Sequence, residues 1–116
     1  MSLESDIHDI FADHAPVTSL VGDKIYPDEL PAEKLPAVVF IATAAPEALL
    51  DGSIAAERVS VRVEGWARTK AEARALGDAL VTALGAADVP HDSRAPLYDD
   101  QTGEFGTGID FTWWVL

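Results

Sequence analysis

VSVRVEGWARTKAEARALGDALVTALG, Val59 to Gly85, reads as a long half-buried strand feeding directly into a capped amphipathic helix. Val59, Val61 and Val63 alternate with Ser60, Arg62 and Glu64, the period of two that puts apolar side chains on one sheet face and polar ones on the other. Trp66 falls on the polar alternation. Thr69 precedes Glu72 by three positions, the spacing at which a hydroxyl and a carboxylate each accept from a free backbone N–H at a helix start. Beyond that corner Ala73, Leu76, Leu80, Ala83 and Leu84 form one apolar stripe, and Gly85 is placed to end the helix in a left-handed cap. The opposite side carries Ala71, Ala75, Asp78 and Thr82, all small or short. Two explanations of that side stay open: helix propensity alone, or close packing against a neighbouring molecule.

Upstream, Ser2 is placed to cap a first helix in which Leu3, Ile7, Ile10 and Phe11 recur at helical spacing, and Pro16 is expected to end it. Val17, Leu20 and Val21 suggest one further turn before Gly22, and prolines at 27, 31 and 36 make the next section an extended connector. The run AVVFIAT from Ala37 is apolar on both alternations, which predicts a central strand covered on both faces. Asp51–Gly52 is a turn signal, so Leu49, Leu50 and Ile54 belong either to hairpin arms extending beyond the main sheet or to a segment folded back on the core. At the other end a turn around Asp100 to Gly103 is flanked by strand-like segments. There Ile109, Phe111, Trp113 and Val115 share one face, and Asp110, Thr112 and Trp114 share the other. The expected fold is a single α/β (α+β) domain over residues 1–116: a mainly antiparallel four-stranded sheet with an N-terminal helix and one long amphipathic helix packed on it.

The 116 residues suffice for one core without staples. The absence of cysteine excludes disulfides, zinc-thiolate sites and thiol catalysis, and suits a reducing compartment. No apolar run approaches the ~20 residues of a membrane span, and MSLESDIHDI lacks the basic-then-apolar layout of a secretory signal. No membrane contact is expected, and the protein is expected to be made and used in the cytoplasm. A net charge of −12 argues against a surface that grips nucleic-acid phosphates, which requires clustered Lys and Arg.

His8, His14 and His91 are the three histidines, and none stands with carboxylates in a metal-ligand pattern. Asp99, Asp100 and Glu104 surround their turn without the alternating ligands and distal glutamate of a calcium loop. Nucleophile elbows, His-Glu-x-x-His and phosphate loops are missing, so no catalytic residue, cofactor or metal is expected. Trp66 and Trp114 both project opposite the core stripe. Either the N-terminal helix and its connector cover that second sheet face and bury both rings, or the rings anchor a subunit contact, as tryptophan does at interfaces.

Taken in order, LVGDKIYP, LPAVVF, LLDG, RVSVRVEGWARTKAEARALGDALVTAL and YDDQTGEFGTGIDFTWWV resemble the tail completion or tail terminator proteins of long-tailed bacteriophages, also found in phage-like gene transfer agents. The resemblance covers Leu3 to Leu116 and includes no catalytic motif. It implies a structural virion protein at the head–tail interface, six copies of which form a ring that stops tube growth and meets a head-side connector or stopper protein. The implied partners are further copies of the chain, the tail tube protein and that connector. In such a ring the charge of −12 per copy suggests an acidic lumen through which DNA passes without specific binding. A closed ring needs two different faces on each subunit. Leu49, Leu50, Ile54, Trp66, Ala71, Ala75, Thr82 and Trp114 are the candidate contact residues. Two alternatives are another head–tail joint or minor tail protein, separated by position in the particle, and a small acidic host-binding adaptor, which would stay monomeric and outside the virion.

The helical stripe is directly testable. Leu80→Ala is expected to lower stability by about 2–5 kcal/mol, read as a fall in the denaturant midpoint. An unchanged midpoint would mean that the apolar face lies elsewhere.

Overall fold

In a computed structural model, which describes residues 3–28, 35–48 and 54–115, the strand–helix unit forms the centre of the molecule. The helices are α1 (Leu3–Ala12), α2 (Ala15–Val21) and α3 (Lys70–Ala86). The strands are β1 (Ile25–Pro27), β2 (Ala37–Ala48), β3 (Ile54–Ala67), β4 (His91–Asp99) and β5 (Glu104–Val115). The sheet runs β1-β2-β3-β5-β4, with β1 parallel to β2 and the other neighbours antiparallel. The class is the expected α+β, with five strands in place of four. The additional strand is the three-residue β1, whose IYP sequence is too short for an alternation to be read.

Antiparallel register places Val61 opposite Phe111 and Val63 opposite Ile109 in β5, while Phe40 of β2 faces Val63. These side chains line one face and are buried beneath the helices. Ile7 and Phe11 of α1, Val17 and Val21 of α2, and Leu76, Leu80, Ala83 and Leu84 of the predicted α3 stripe complete the same cluster, while Ala73 of that stripe is buried outside it, beside the β4 edge. The Phe11 and Phe111 rings meet edge to face with centroids 6.5 Å apart. All three helices therefore lie on the valine face, so α1 does not cover the face that carries Trp66.

Several local expectations are met and several are corrected. Thr69 caps α3, its hydroxyl accepting from the Glu72 N–H at 3.2 Å. The C-terminus is displaced from Gly85, which stays helical. Asp88 takes the left-handed conformation at φ 58°, the Val89 N–H donates to Leu84 O and the Asp88 N–H to Gly85 O. That bond pair is a Schellman ending closed by aspartate, a short side chain that tolerates left-handed backbone. Pro16 does not end α1, which stops at Ala12. It occupies the first turn of α2, where a missing N–H costs no helical bond. β2 is an internal strand with Ala37 at 0% and Val39 at 4% exposure on the face away from the helices, yet Ile41 on that face is 41% exposed. Coverage of both faces thus holds only for the start of the strand. The β2–β3 ladder continues beyond its last shared residue with β5, Glu57, as far as Ala48 opposite Ile54, so this segment forms hairpin arms. Leu49 and Leu50 lie outside the described residues.

Close approach fixes how α3 sits. A Cβ on Gly65 in β3 would stand 2.6 Å from Leu76 Cγ, and one on Gly77 in α3 would stand 2.7 Å from Thr107 Cγ2 and 2.8 Å from an Arg94 nitrogen. The buried Thr107 hydroxyl donates to Ala73 O at 2.9 Å, joining β5 to the helix backbone. Glycine-to-alanine exchanges in α3 should therefore have opposite signs at two sites. Gly85→Ala, with nothing within 4 Å, is expected to raise stability by up to ~1 kcal/mol through helix propensity. Gly77→Ala is expected to lower it by about 1–3 kcal/mol through overpacking. Equal midpoint shifts in denaturant would contradict the contact.

Candidate assembly surfaces

The sheet face away from the helices is closed by its own side chains. Gly106 and Gly108 of β5 stand opposite Trp66 and Glu64 of β3. A Cβ on Gly106 would lie 2.9 Å from Trp66 Cδ2, and one on Gly108 would lie 2.6 Å from Arg62 Nη2. The two glycines thus provide a floor on which indole and guanidinium lie across the neighbouring strand. Trp66 Nε1–H donates to Glu64 Oε1 at 3.0 Å, and Arg62 Nε–H donates to Glu64 Oε2 at 2.8 Å. Arg62 also reaches Asp110 Oδ2 at 3.4 Å, an oxygen that accepts from the Ser93 hydroxyl at 2.9 Å. One polar chain therefore crosses β3, β5 and β4.

The Glu64 hydrogen bond raises the Arg62 pKa above its ordinary value, partial burial opposes that shift, and Asp110 adds to it. Since the fold favours the protonated form while its carboxylate partners are charged, this contribution is complete below the ordinary arginine value. It is lost at still more alkaline pH.

A different surface opens between α3 and the β4 edge. This groove, about 650 Å³, is lined by Lys70, Ala73, Arg74 and Asp78 of α3, by Arg94, Pro96, Leu97 and Tyr98 of β4, and by Phe105, Gly106 and Thr107 of β5. Arg94 crosses its mouth, pairing with Asp78 at 2.9 Å and donating to Arg74 O at 3.3 Å. The Tyr98 and Phe105 rings are 5.0 Å apart, and Tyr98 is 59% exposed. On the other side of α3 a smaller notch of about 350 Å³ is walled by Asp6, Asp9 and Asp13 over an alanine floor, with Ile10 and His14 beside them. Among the described residues, His14 Nε2 is buried there without a hydrogen-bond partner. No group of three metal-ligating side chains comes together among those residues.

The residues singled out from the sequence fall in separate places. Ala71, Ala75 and Thr82 lie on the exposed side of α3, with the Thr82 hydroxyl donating to Asp78 O at 2.9 Å. Trp66 is half-buried over Gly106. Trp114 pairs in register with Arg58, and Ile54 with Ala48 at the hairpin end. The groove brings together residues that were not singled out: Arg74, Arg94, Tyr98 and Phe105. Lys70, Arg74 and Arg94 are three of the eight cations in the chain, and it is the fold that sets them beside Tyr98 and Phe105.

Residues 5–116 match the family described as "Tail completion protein gp17". The chain belongs to that family. This tail completion protein is accordingly a structural component of a virion tail, as its sequence resemblance implied. Its fold is similar to that of a chain in the "Virion of native gene transfer agent (GTA) particle". The TM-score is 0.79 at 17% identity, with 98% of this chain and 94% of that chain covered. No curated protein matches by sequence.

The polar chain on the open face gives this tail completion protein a measurable feature. Trp66→Phe keeps an aromatic ring over Gly106 and removes the N–H donated to Glu64. Stability is expected to fall by about 0.5–1.5 kcal/mol, read from the denaturant midpoint. A midpoint equal to that of the parent chain would show that the indole bond contributes nothing.

Proposed function

We propose that this protein, acting as one domain, closes into a ring of six copies at the head-proximal end of a tail tube. There it stops tube growth and joins the tube to a head-side connector. The observation that carries the proposal is membership of a tail completion family over residues 5–116. The fold shared with a chain of a gene transfer agent virion supports it. The surface is also suited to the role. A closed ring uses heterologous contacts and needs two unlike faces, and the two flanks of α3 differ in both shape and charge.

The net charge of −12 bears on DNA passage. A ring multiplies that charge by its copy number, and acidic residues around a lumen repel phosphates, so the duplex slides without adhering. No step of the proposed role requires a bond to be made or broken.

Electron microscopy of particles assembled with and without the gene tests the role. Without it, free heads are expected beside unjoined tails of abnormal length. Normal, joined particles would remove the terminator role. Purified rings that bound duplex DNA tightly at physiological salt would remove the acidic passage while leaving the terminator role in place.

A further inference from the structure

We propose that the α3–β4 groove of one copy receives the acidic α1 flank of a second copy of this chain, and that this is the contact which closes the ring. The inference rests on the ring reading above and specifies which faces meet. In a chain of net charge −12, the groove concentrates cations: Lys70 and Arg74 have no ion-pair partner among the described residues, while Arg94 is held by Asp78. Among its lining residues Lys70, Arg74 and Arg94 stand against Asp78 alone, so the lining is net positive, with Glu72 of α3 and the Asp99–Glu104 pair of the β4–β5 turn outside it. Its rim also carries the exposed ring of Tyr98 against Phe105. Cations around an aromatic patch suit a partner surface that is acidic with a small apolar centre.

The opposite flank of the same molecule has that composition. Asp6, Asp9 and Asp13 stand three and four residues apart, which aligns them along one side of α1 and the turn after it. No basic residue lies in the last turn of α1. Between the acids and the end of α3 is a shallow floor of Ala83, Ala86 and Ala87, small enough to admit an aromatic ring. The groove faces the β4 edge and the notch faces α1, with α3 between them. Unlike patches facing apart on one subunit give head-to-tail association, which either closes into a ring or continues as a filament.

Two charge-reversed variants test the contact. Lys70→Glu with Arg74→Glu makes both flanks acidic, and Asp9→Lys with Asp13→Lys makes both basic. All four positions are exposed, so each variant is expected to keep the parent's cooperative unfolding transition. Mass is measured on the free chain and occupancy of tube ends on tails made without it. Each variant alone is expected to lose assembly in whichever sample the parent assembles. An equal mixture is expected to recover it in alternating copies, as is the chain carrying all four reversals. Oligomers undisturbed by either reversal would overturn the contact and leave the ring reading standing. A parent chain that self-associates in neither sample would overturn both. Loss in each variant without recovery in the mixture or the fourfold variant would also overturn the pairing.

Discussion

The arrangement depends on how closely α3 is drawn onto the sheet. Leu76 fills the space where a side chain on residue 65 would stand, and the Thr107 methyl fills the space above residue 77. Both positions are glycine, one in the strand and one in the helix. Gly77 gives up helix propensity of about 1 kcal/mol relative to alanine, and close packing with the buried Thr107–Ala73 bond offsets that cost. With α3 so placed, its remaining apolar neighbours must come from the same side. α1 and α2 lie beside it, and the sheet is left with one face covered by helices and one without them.

The face away from the helices explains the second pair of glycines. On a strand face carrying Arg62, Glu64 and Trp66, water can satisfy the exposed polar atoms, whereas the large ring gains by lying on a surface. Gly106 and Gly108 supply that surface on the neighbouring strand, and Glu64 joins indole to guanidinium. The same sequence segment, GEFGTGID, thus closes the hairpin and receives the side chains of β3. The centre of the sheet thus makes contacts within the chain, and the surfaces proposed for association are the β4 edge with the groove beside it, and α1. A structural protein of a tail needs such surfaces, since its function is contact with other chains.

Much of this was legible from Val59 onward. Alternating valines, the Thr69 cap and the stripe from Ala73 to Leu84 each follow from local periodicity, so they survive in the folded chain. What was misread depends on tertiary placement or on residues without a local signature. β1 is three residues long and exists because β2 offers it a partner. Asp88 displaces Gly85 as the left-handed cap because the helix continues until Val89 reaches the core. The position of α1 was left open between two sheet faces, since an amphipathic stripe says that a helix packs but not against which surface. Trp66 stays a candidate contact residue, and the neighbour that its sequence position does not show is Gly106, some forty residues away, under the ring. Groove residues escaped for the opposite reason. Arg74 and Arg94 are ordinary surface cations singly, and only the fold sets them around Tyr98.

A reconstruction of the head–tail joint of the assembled particle tests the central claim most directly, because it locates this chain and reads its neighbours in one experiment. The account predicts copies of the chain in a closed ring at the head-proximal end of the tube. In each, the α3–β4 groove is expected to face α1 of the adjacent copy, and the arms of the β2–β3 hairpin should remain paired. Finding the chain elsewhere in the particle, or as an isolated copy off the tube axis, would contradict it.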